Sequence, residues 1–278
     1  MIYACPLCSQ PLTLDSRTFK CSNNHMFDKA KEGYVNLMPA HHKHSKNPGD
    51  SKEMMQSRRA FLESGHYQKL QQQLANTVQQ SIANSIGNPL ENSQQPTILD
   101  IGCGEGYYTN EIANVLGESA QVYGLDIAKV AVRYASKRYA NCHFSVASSY
   151  KLPFNDHSLD AIVKVYAPSK QEELLRCLKP GGVLVTVTPG ARHLYQLRER
   201  IYQEVRLHEE QADEFAGLEL IEQAKLNYSM QLVEGQAFEL LQMTPFAWKA
   251  STELQAELKQ CASFDCEADF NIQTYRVI

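Results

Sequence analysis

The chain carries a single tryptophan, Trp248, in 278 residues, so no aromatic-repeat architecture is on offer. No uninterrupted apolar run approaches the roughly 18–20 residues of a membrane-crossing helix, which argues against a membrane protein. The opening residues, MIYACPLCSQ, have neither a basic stretch nor an apolar core. No secretory signal is read there, and a cytoplasmic location is expected. An excess of positive charge is missing too: 27 Lys and Arg against 31 Asp and Glu give a net charge of −4. That excludes a uniformly basic coat for nucleic acid and leaves room for a local patch. Neither an internal repeat nor a low-complexity tract is present. With 43% hydrophobic and 21% charged residues, the composition is that of a globular chain able to bury a sizeable core.

What is present is unevenly distributed. Residues 29–70 hold eight Lys and Arg against four Asp and Glu, so positive charge is concentrated early. Of eight cysteines, Cys142, Cys177, Cys261 and Cys266 are scattered, whereas Cys5, Cys8 and Cys21 cluster. A reducing cytosol disfavours disulfides. Cys5-x2-Cys8 and Cys21-x3-His25, twelve residues apart, supply three thiolates and one imidazole. Zn²⁺ takes four such ligands tetrahedrally, and a full protein set makes the site structural. A redox Cys-x-x-Cys would need no second pair. His41, His42 and His44 are alternatives for the fourth ligand. So short a module has little core, and metal binding is expected to supply its folding energy.

Helical residues follow over 52–83, then a turn-rich linker, GNPLENSQQP, over 87–96. From Thr97 the pattern alternates. Strands are expected at 97–101, 121–127, 143–147, 159–165 and 182–188, with helices at 107–116 and from the end of the second strand to about 139. This predicts an α/β fold with a doubly wound sheet. Beyond residue 192 a helix over 192–209 and strands near 226–234 and 268–277 are expected. The division is a zinc-binding module at 1–36, a basic linker and helical segment at 37–96, and a cofactor domain at 97–278.

Asp100-Ile101-Gly102-Cys103-Gly104-Glu105-Gly106 follows a strand and opens a helix, and its glycines let a ligand approach the backbone. Asp126 ends the next strand, where an acidic residue can accept from ribose hydroxyls. The third glycine comes one residue early for a dinucleotide fingerprint. Asp-x-Gly-x-Gly-x-Gly instead resembles motif I of class I S-adenosylmethionine methyltransferases, a Rossmann-like fold, as does Leu178-Lys179-Pro180-Gly181-Gly182. In that superfamily the loop after the third strand reads adenine, often with an acidic residue, and Ser148 stands there. Tyr166 and Pro168, after the fourth strand, are expected to line the space between methyl group and target.

A closer resemblance covers nearly the whole chain, from Cys5 to about Phe270. It rests on Cys5-Pro6-Leu7-Cys8, Lys31-Glu32-Gly33-Tyr34-Val35-Asn36-Leu37, Pro48-Gly49-Asp50, Ala60-Phe61-Leu62-x-x-Gly65-His66-Tyr67, Tyr166-Ala167-Pro168, Arg192-His193-Leu194 and Met243-Thr244-Pro245-Phe246. Together these resemble the bacterial 23S ribosomal RNA guanine-N1 methyltransferases, of the Gram-negative type. The resemblance implies zinc on Cys5, Cys8, Cys21 and His25. It implies S-adenosylmethionine contacts from Tyr67 and His193 besides Asp100, Gly102, Gly104, Glu105, Gly106, Asp126 and Ser148, and it implies a homodimer. The substrate implied is 23S rRNA, with the guanine in a hairpin loop.

Guanine N1 bears a proton at neutral pH, so transfer to it needs a base or stabilisation of charge on O6. His193 and Tyr166 are the candidate catalytic groups; Asp160 is expected to lie too far away. The zinc module and the basic segment, with Lys43, Lys46, Arg58 and Arg59 on phosphates, are expected to hold RNA. Alternatives from other classes are a small-molecule or other-RNA methyltransferase with a structural zinc module, and a non-enzymatic RNA-binding protein with a relic cofactor fold.

Overall fold

The computed structural model describes residues 2–39, 51–86 and 95–278. The His41–Lys46 run, Pro48-Gly49-Asp50 and most of the 87–96 linker fall outside them. Near the N-terminus, β1 (Thr13–Asp15), β2 (Thr18–Lys20) and β3 (Met26–Asp28) form a small antiparallel sheet. A two-residue strand, β4 (Val35–Asn36), then joins the main sheet instead. Helices α1 (Lys52–Glu63) and α2 (Gln68–Ile86) follow. Next come β5 (Thr97–Ile101), α3 (Tyr107–Leu116), β6 (Gln121–Asp126), α4 (Lys129–Arg138), β7 (His143–Val146), β8 (Leu159–Val165), α5 (Gln171–Cys177) and β9 (Leu178–Pro189). The last part holds α6 (Tyr195–Glu199), β10 (Leu218–Val233), α7 (Gln236–Gln242), α8 (Thr252–Gln260) and β11 (Ser263–Val277).

The main sheet has eight strands in the order β10-β11-β9-β8-β5-β6-β7-β4. From β9 to β4 all neighbours are parallel, while β11 runs antiparallel to β9 and to β10. The expected doubly wound sheet is therefore present, and residues 218–277 extend it as an antiparallel edge. Its inner strands read as continuous apolar runs because both faces are covered. Ile98, Val122, Ala161, Val163, Val183 and Val185 point into one cluster, with Leu70 and Leu74 of α2, Ile112 of α3 and Val132 of α4. The alternate residues Leu99, Ile101, Tyr123, Leu125, Ile162 and Leu184 point into the other. There the partners are Leu174 and Cys177 of α5, together with Tyr3, Leu12 and Cys21 of the N-terminal module.

The N-terminal module thus covers a sheet face. Tyr3 is 4% exposed and meets the rings of Phe19, Tyr123 and Phe154 at 5.2–5.6 Å. Backbone bonds Ala4 N–H to Pro153 O (3.0 Å) and Asn155 N–H to Ile2 O (3.0 Å) seam it to the segment before β8.

Three expectations are corrected. The helix over 52–83 is two helices, because Ser64 Oγ caps Phe61 O at 2.6 Å and Gly65 turns at φ +85°. The helix over 192–209 shrinks to the five residues of α6, and the chain folds back so that His208 N–H reaches Ala191 O at 3.1 Å. The late strands are longer, since β10 pairs along its whole length with β11. Its second half alternates, with Ala224, Leu226, Tyr228, Met230 and Leu232 toward the core, whereas 219–223 are all exposed and carry no such pattern, so only the end of the strand was legible.

Tyr3→Ala is expected to lower global stability by about 3–5 kcal/mol, the usual cost of deleting a buried ring. A shifted midpoint in a single urea transition is the expected outcome. A separate early transition for the module alone would show that it is not part of the common core.

Candidate functional site

The parallel strands end together, and the loops leaving their carboxyl ends build the site. After β5, Gly102, Gly104 and Gly106 all have positive φ, +70°, +55° and +83°. Gly102 has no room for a side chain, since a Cβ there would stand 2.7 Å from Ala167 Cβ. At Gly104 a Cβ would meet nothing within 4 Å, so the turn faces open space along its ligand-accessible backbone. Asp126 shapes this turn: its carboxylate accepts from Gly104 N–H at 2.9 Å and from Ala128 N–H at 2.7 Å. Asp126 O accepts from Ala147 N–H at 3.1 Å, which brings Ser148 to the same end. Ser148 Oγ accepts from Tyr150 N–H at 3.2 Å.

Asp100 lies beneath the turn, 2% exposed, and its carboxylate accepts from the Thr109 hydroxyl at 2.6 Å. Burial, with the Asp126 charge adding, pushes its pKa up to about 7, against the Thr109 bond. A buried carboxyl so poised gains its charge readily when a cation arrives. The open face above Gly104, the two carboxyls and the glycine cradle together fit a nucleoside cofactor with a cationic amino-acid tail.

The break between α1 and α2 turns Tyr67 inward, 4% exposed, edge-on to Phe61 and Phe270 at 5.1 Å each. Its ring lies 6.4 Å from His193, which lies 6.0 Å from the Tyr166 ring and 4.8 Å from Phe270. Tyr67, Tyr166 and His193, a hundred and more residues apart at the extremes, are thereby brought together. Tyr166 follows β8 at φ +53° and is 47% exposed, so the strained turn carries its ring into the mouth of the site.

His193 is 8% exposed. Burial, reinforced by the charge of His208, lowers its pKa to about 3. Asp269 N–H donates to its Nδ1 at 3.3 Å. The neutral ring therefore carries its proton on Nε2 and is a donor there. Asp269 also accepts from Arg192 N–H through its carboxylate (2.9 Å) and from Gly190 N–H through its carbonyl (2.8 Å), fixing the His193 backbone. Asp160 lies elsewhere, as expected, tied to Lys179 Nζ at 2.8 Å and to Thr97 N–H at 2.8 Å.

Two residues expected on phosphates are occupied internally. Arg59 grips Glu105 through two 2.6 Å hydrogen bonds and lies 4.4 Å over the Tyr134 ring. Arg58 donates to Met243 O at 3.3 Å. The Arg59–Glu105 clamp, joining α1 to the glycine turn, was not legible in the sequence, because nothing local marks a pair 46 residues apart. Asp269 escaped for the same reason. Lys43 and Lys46 lie outside the described residues.

Cys5, Cys8, Cys21 and His25 bring their ligand atoms within 4.8 Å of one another. Cys5 Sγ and Cys21 Sγ stand 3.5 and 3.4 Å from His25 Nδ1, and Cys8 Sγ stands 3.7 Å from Cys21 Sγ. Tetrahedral zinc with its usual bond lengths spans edges of about 3.6 Å for S···N and about 3.8 Å for S···S. Ser9 (φ +59°) and Asn24 (φ +61°) form the two left-handed turns that aim these side chains. The Cys8 thiol is lowered to about 6, first by a backbone hydrogen bond at Gln10, which favours the thiolate a metal needs. The donor set and spacing fit zinc, and among the described residues this is the one such group.

Residues 3–46 match a zinc-ribbon family model described as "RlmA, N-terminal", and residues 92–257 match one described as "Methyltransferase domain". A Streptomyces fradiae protein named 23S rRNA (guanine(748)-N(1))-methyltransferase is 35% identical over 88% of this chain and 85% of its own. A Bacillus subtilis protein given a 23S rRNA (guanine-N1) methyltransferase name provisionally is 30% identical over 98% and 95%. A solved SAM-dependent methyltransferase from Aquifex aeolicus, 18% identical, covers 73% of this chain and 98% of its own at a TM-score of 0.39.

Arg59→Ala is expected to weaken S-adenosylmethionine binding about tenfold by calorimetry, because Glu105 would be left 14% exposed without its cation. Arg59→Lys should recover part of that loss; unchanged affinity in both variants would sever the clamp from cofactor binding. Cys21→Ser is expected to lower bound zinc per chain, read by metal analysis of the purified protein.

Proposed function

The chain belongs to the 23S rRNA (guanine-N1)-methyltransferase family, and on that premise we propose that it methylates N1 of one guanine in a hairpin loop of 23S rRNA. The observation that carries this reading is the convergence of the glycine turn, Asp126, Tyr67, Tyr166 and His193 at one end of the sheet, in a chain that also holds the zinc ribbon. The ribbon and the family resemblance favour rRNA over a small-molecule acceptor. The sites are proposed as Cys5, Cys8, Cys21 and His25 for zinc, with Tyr67, Asp100, Gly102, Gly104, Glu105, Gly106, Asp126, Ser148 and His193 around S-adenosylmethionine. The division at residues 36 and 96 belongs to the same proposal. No helix among the described residues is long and apolar enough to cross a membrane; we place the reaction in the cytoplasm, where ribosomes are made. Pairing of two chains is supported by the family resemblance and by the outer edge of β10, which is the last strand of its sheet.

When bound, S-adenosylmethionine supplies an activated methyl group. The chain's own task is to hold guanine N1 in line and manage the charge that develops as N1 loses its proton to water. His193 suits one part of this. With Nδ1 accepting from Asp269 and its pKa near 3, it is a poor base at neutral pH. Its Nε2–H can donate to guanine O6, where negative charge gathers. Tyr166, exposed beside it, can stack on or hydrogen-bond the same base. N1 lies on the pairing edge, so the guanine must be unpaired or flipped out.

Labelled methyl transfer to rRNA lacking the modification, followed by reverse transcription, tests the reading. A stop at one guanine is expected, and its position would also show whether it is the Gram-negative-type target that we propose. No label in rRNA or ribosomal particles would sink it. His193→Ala is expected to lower kcat about 10²-fold, the usual loss for one charge-stabilising donor. Because His193 stays neutral above about pH 3, the wild-type rate should show no limb between pH 5 and 8 that disappears in His193→Asn. Such a limb would restore the base role; a change confined to cofactor affinity would leave His193 a binding residue.

A further inference from the structure

Trp248 is 80% exposed, although it ends a tightly anchored turn. The 3-10 turn Pro245–Trp248 begins after Thr244, which is buried and donates to Leu241 O through both N–H (3.0 Å) and hydroxyl (2.8 Å). Phe246 and Ala247 pack against the core, and the Phe246 ring stands edge-on to Tyr202 at 6.2 Å. Arg58 of α1 donates to Met243 O. Lys249 N–H and Ala250 N–H close the turn onto Phe246 O at 2.9 and 3.1 Å. The indole is thus held outward by residues fixed on three sides. One of those anchors leads to the site: α1, tied by Arg58 to Met243 O, also carries the Arg59 clamp.

The surroundings of the indole decide what it can meet. Pro245, Lys249, Ser251, Thr252 and Glu253 around it are exposed, so a lone aromatic face stands in a polar setting. A protein partner's anchor would be expected inside a wider apolar patch. A single flat ring beside a cation suits one unpaired nucleobase, since every base offers a π face and its phosphate offers a charge. Lys249, 5.2 Å above the Tyr202 ring, forms no ion pair among the described residues.

We infer that Trp248 is an RNA-stacking residue that holds an unpaired base of the substrate RNA. This rests on the rRNA reading above and deepens it. Because Trp248 is the chain's only tryptophan, its own fluorescence reports the contact.

The test titrates the full-length protein with a 23S rRNA hairpin fragment containing the target guanine, while methyl transfer to that fragment is measured in parallel. Quenching of the tryptophan signal that saturates with RNA binding is expected. Trp248→Ala should raise the KM for RNA about tenfold, within the range of one lost base stack, with the KM for S-adenosylmethionine unchanged. Trp248→Phe keeps an aromatic face and should stay close to wild type. Trp248 is exposed enough that folding of either variant, checked by circular dichroism, should be unaffected. Methyl transfer without quenching, or a Trp248→Ala enzyme with unaltered KM for RNA, overturns the inference while leaving the rRNA reading intact, and points to a protein as the occupant. Absence of both RNA binding and methyl transfer overturns the rRNA reading and the inference together.

Discussion

A parallel sheet buries both faces or it does not hold, and the molecule is arranged around that requirement. One face is covered by helices in the ordinary way. Across β6 and β7 the other is covered by the N-terminal module, through Tyr3 against Tyr123 and Phe154. That module has three strands of three residues each and few apolar side chains of its own. It carries the Cys3His cluster at zinc-like spacing. The module that holds this cluster packs on the sheet whose loops form the proposed cofactor site.

The same economy governs the site. The glycine turn runs through three positive-φ positions, with Gly102 close against Ala167. Asp126 holds it from the next strand, and Arg59 holds it from α1. Helix α1 follows the basic 41–46 stretch in sequence and also meets the turn bearing Trp248 through Arg58. One helix thus touches both the cofactor loop and the proposed RNA-facing surface.

His193 shows how packing can choose a chemical role. Histidine near a reacting nitrogen invites the role of base. Here the fixed backbone of β11 offers an N–H to Nδ1, and burial disfavours the charged ring. Burial dominates and leaves a neutral ring that donates through Nε2. Asp100 presents the complementary case, a carboxyl held near neutrality until a cation is at hand.

Sequence by itself determined the parts whose signal is local. Ligand spacing at Cys5, Cys8, Cys21 and His25, the Asp100–Gly106 turn after an apolar strand, and β8 at Leu159–Val165 are each written within a few residues. Tyr67 and His193 were reached through family resemblance and would otherwise read as packing residues. Tertiary structure alone decided the rest. The Arg59–Glu105 pair, the Asp269 contact that sets the His193 tautomer, the length of β10 and the place of the zinc module on the sheet depend on groups tens to hundreds of residues apart. Periodicity and spacing report what neighbours along the chain must do. They carry no term for an ion pair or a backbone donor that meets its partner only after the chain has folded.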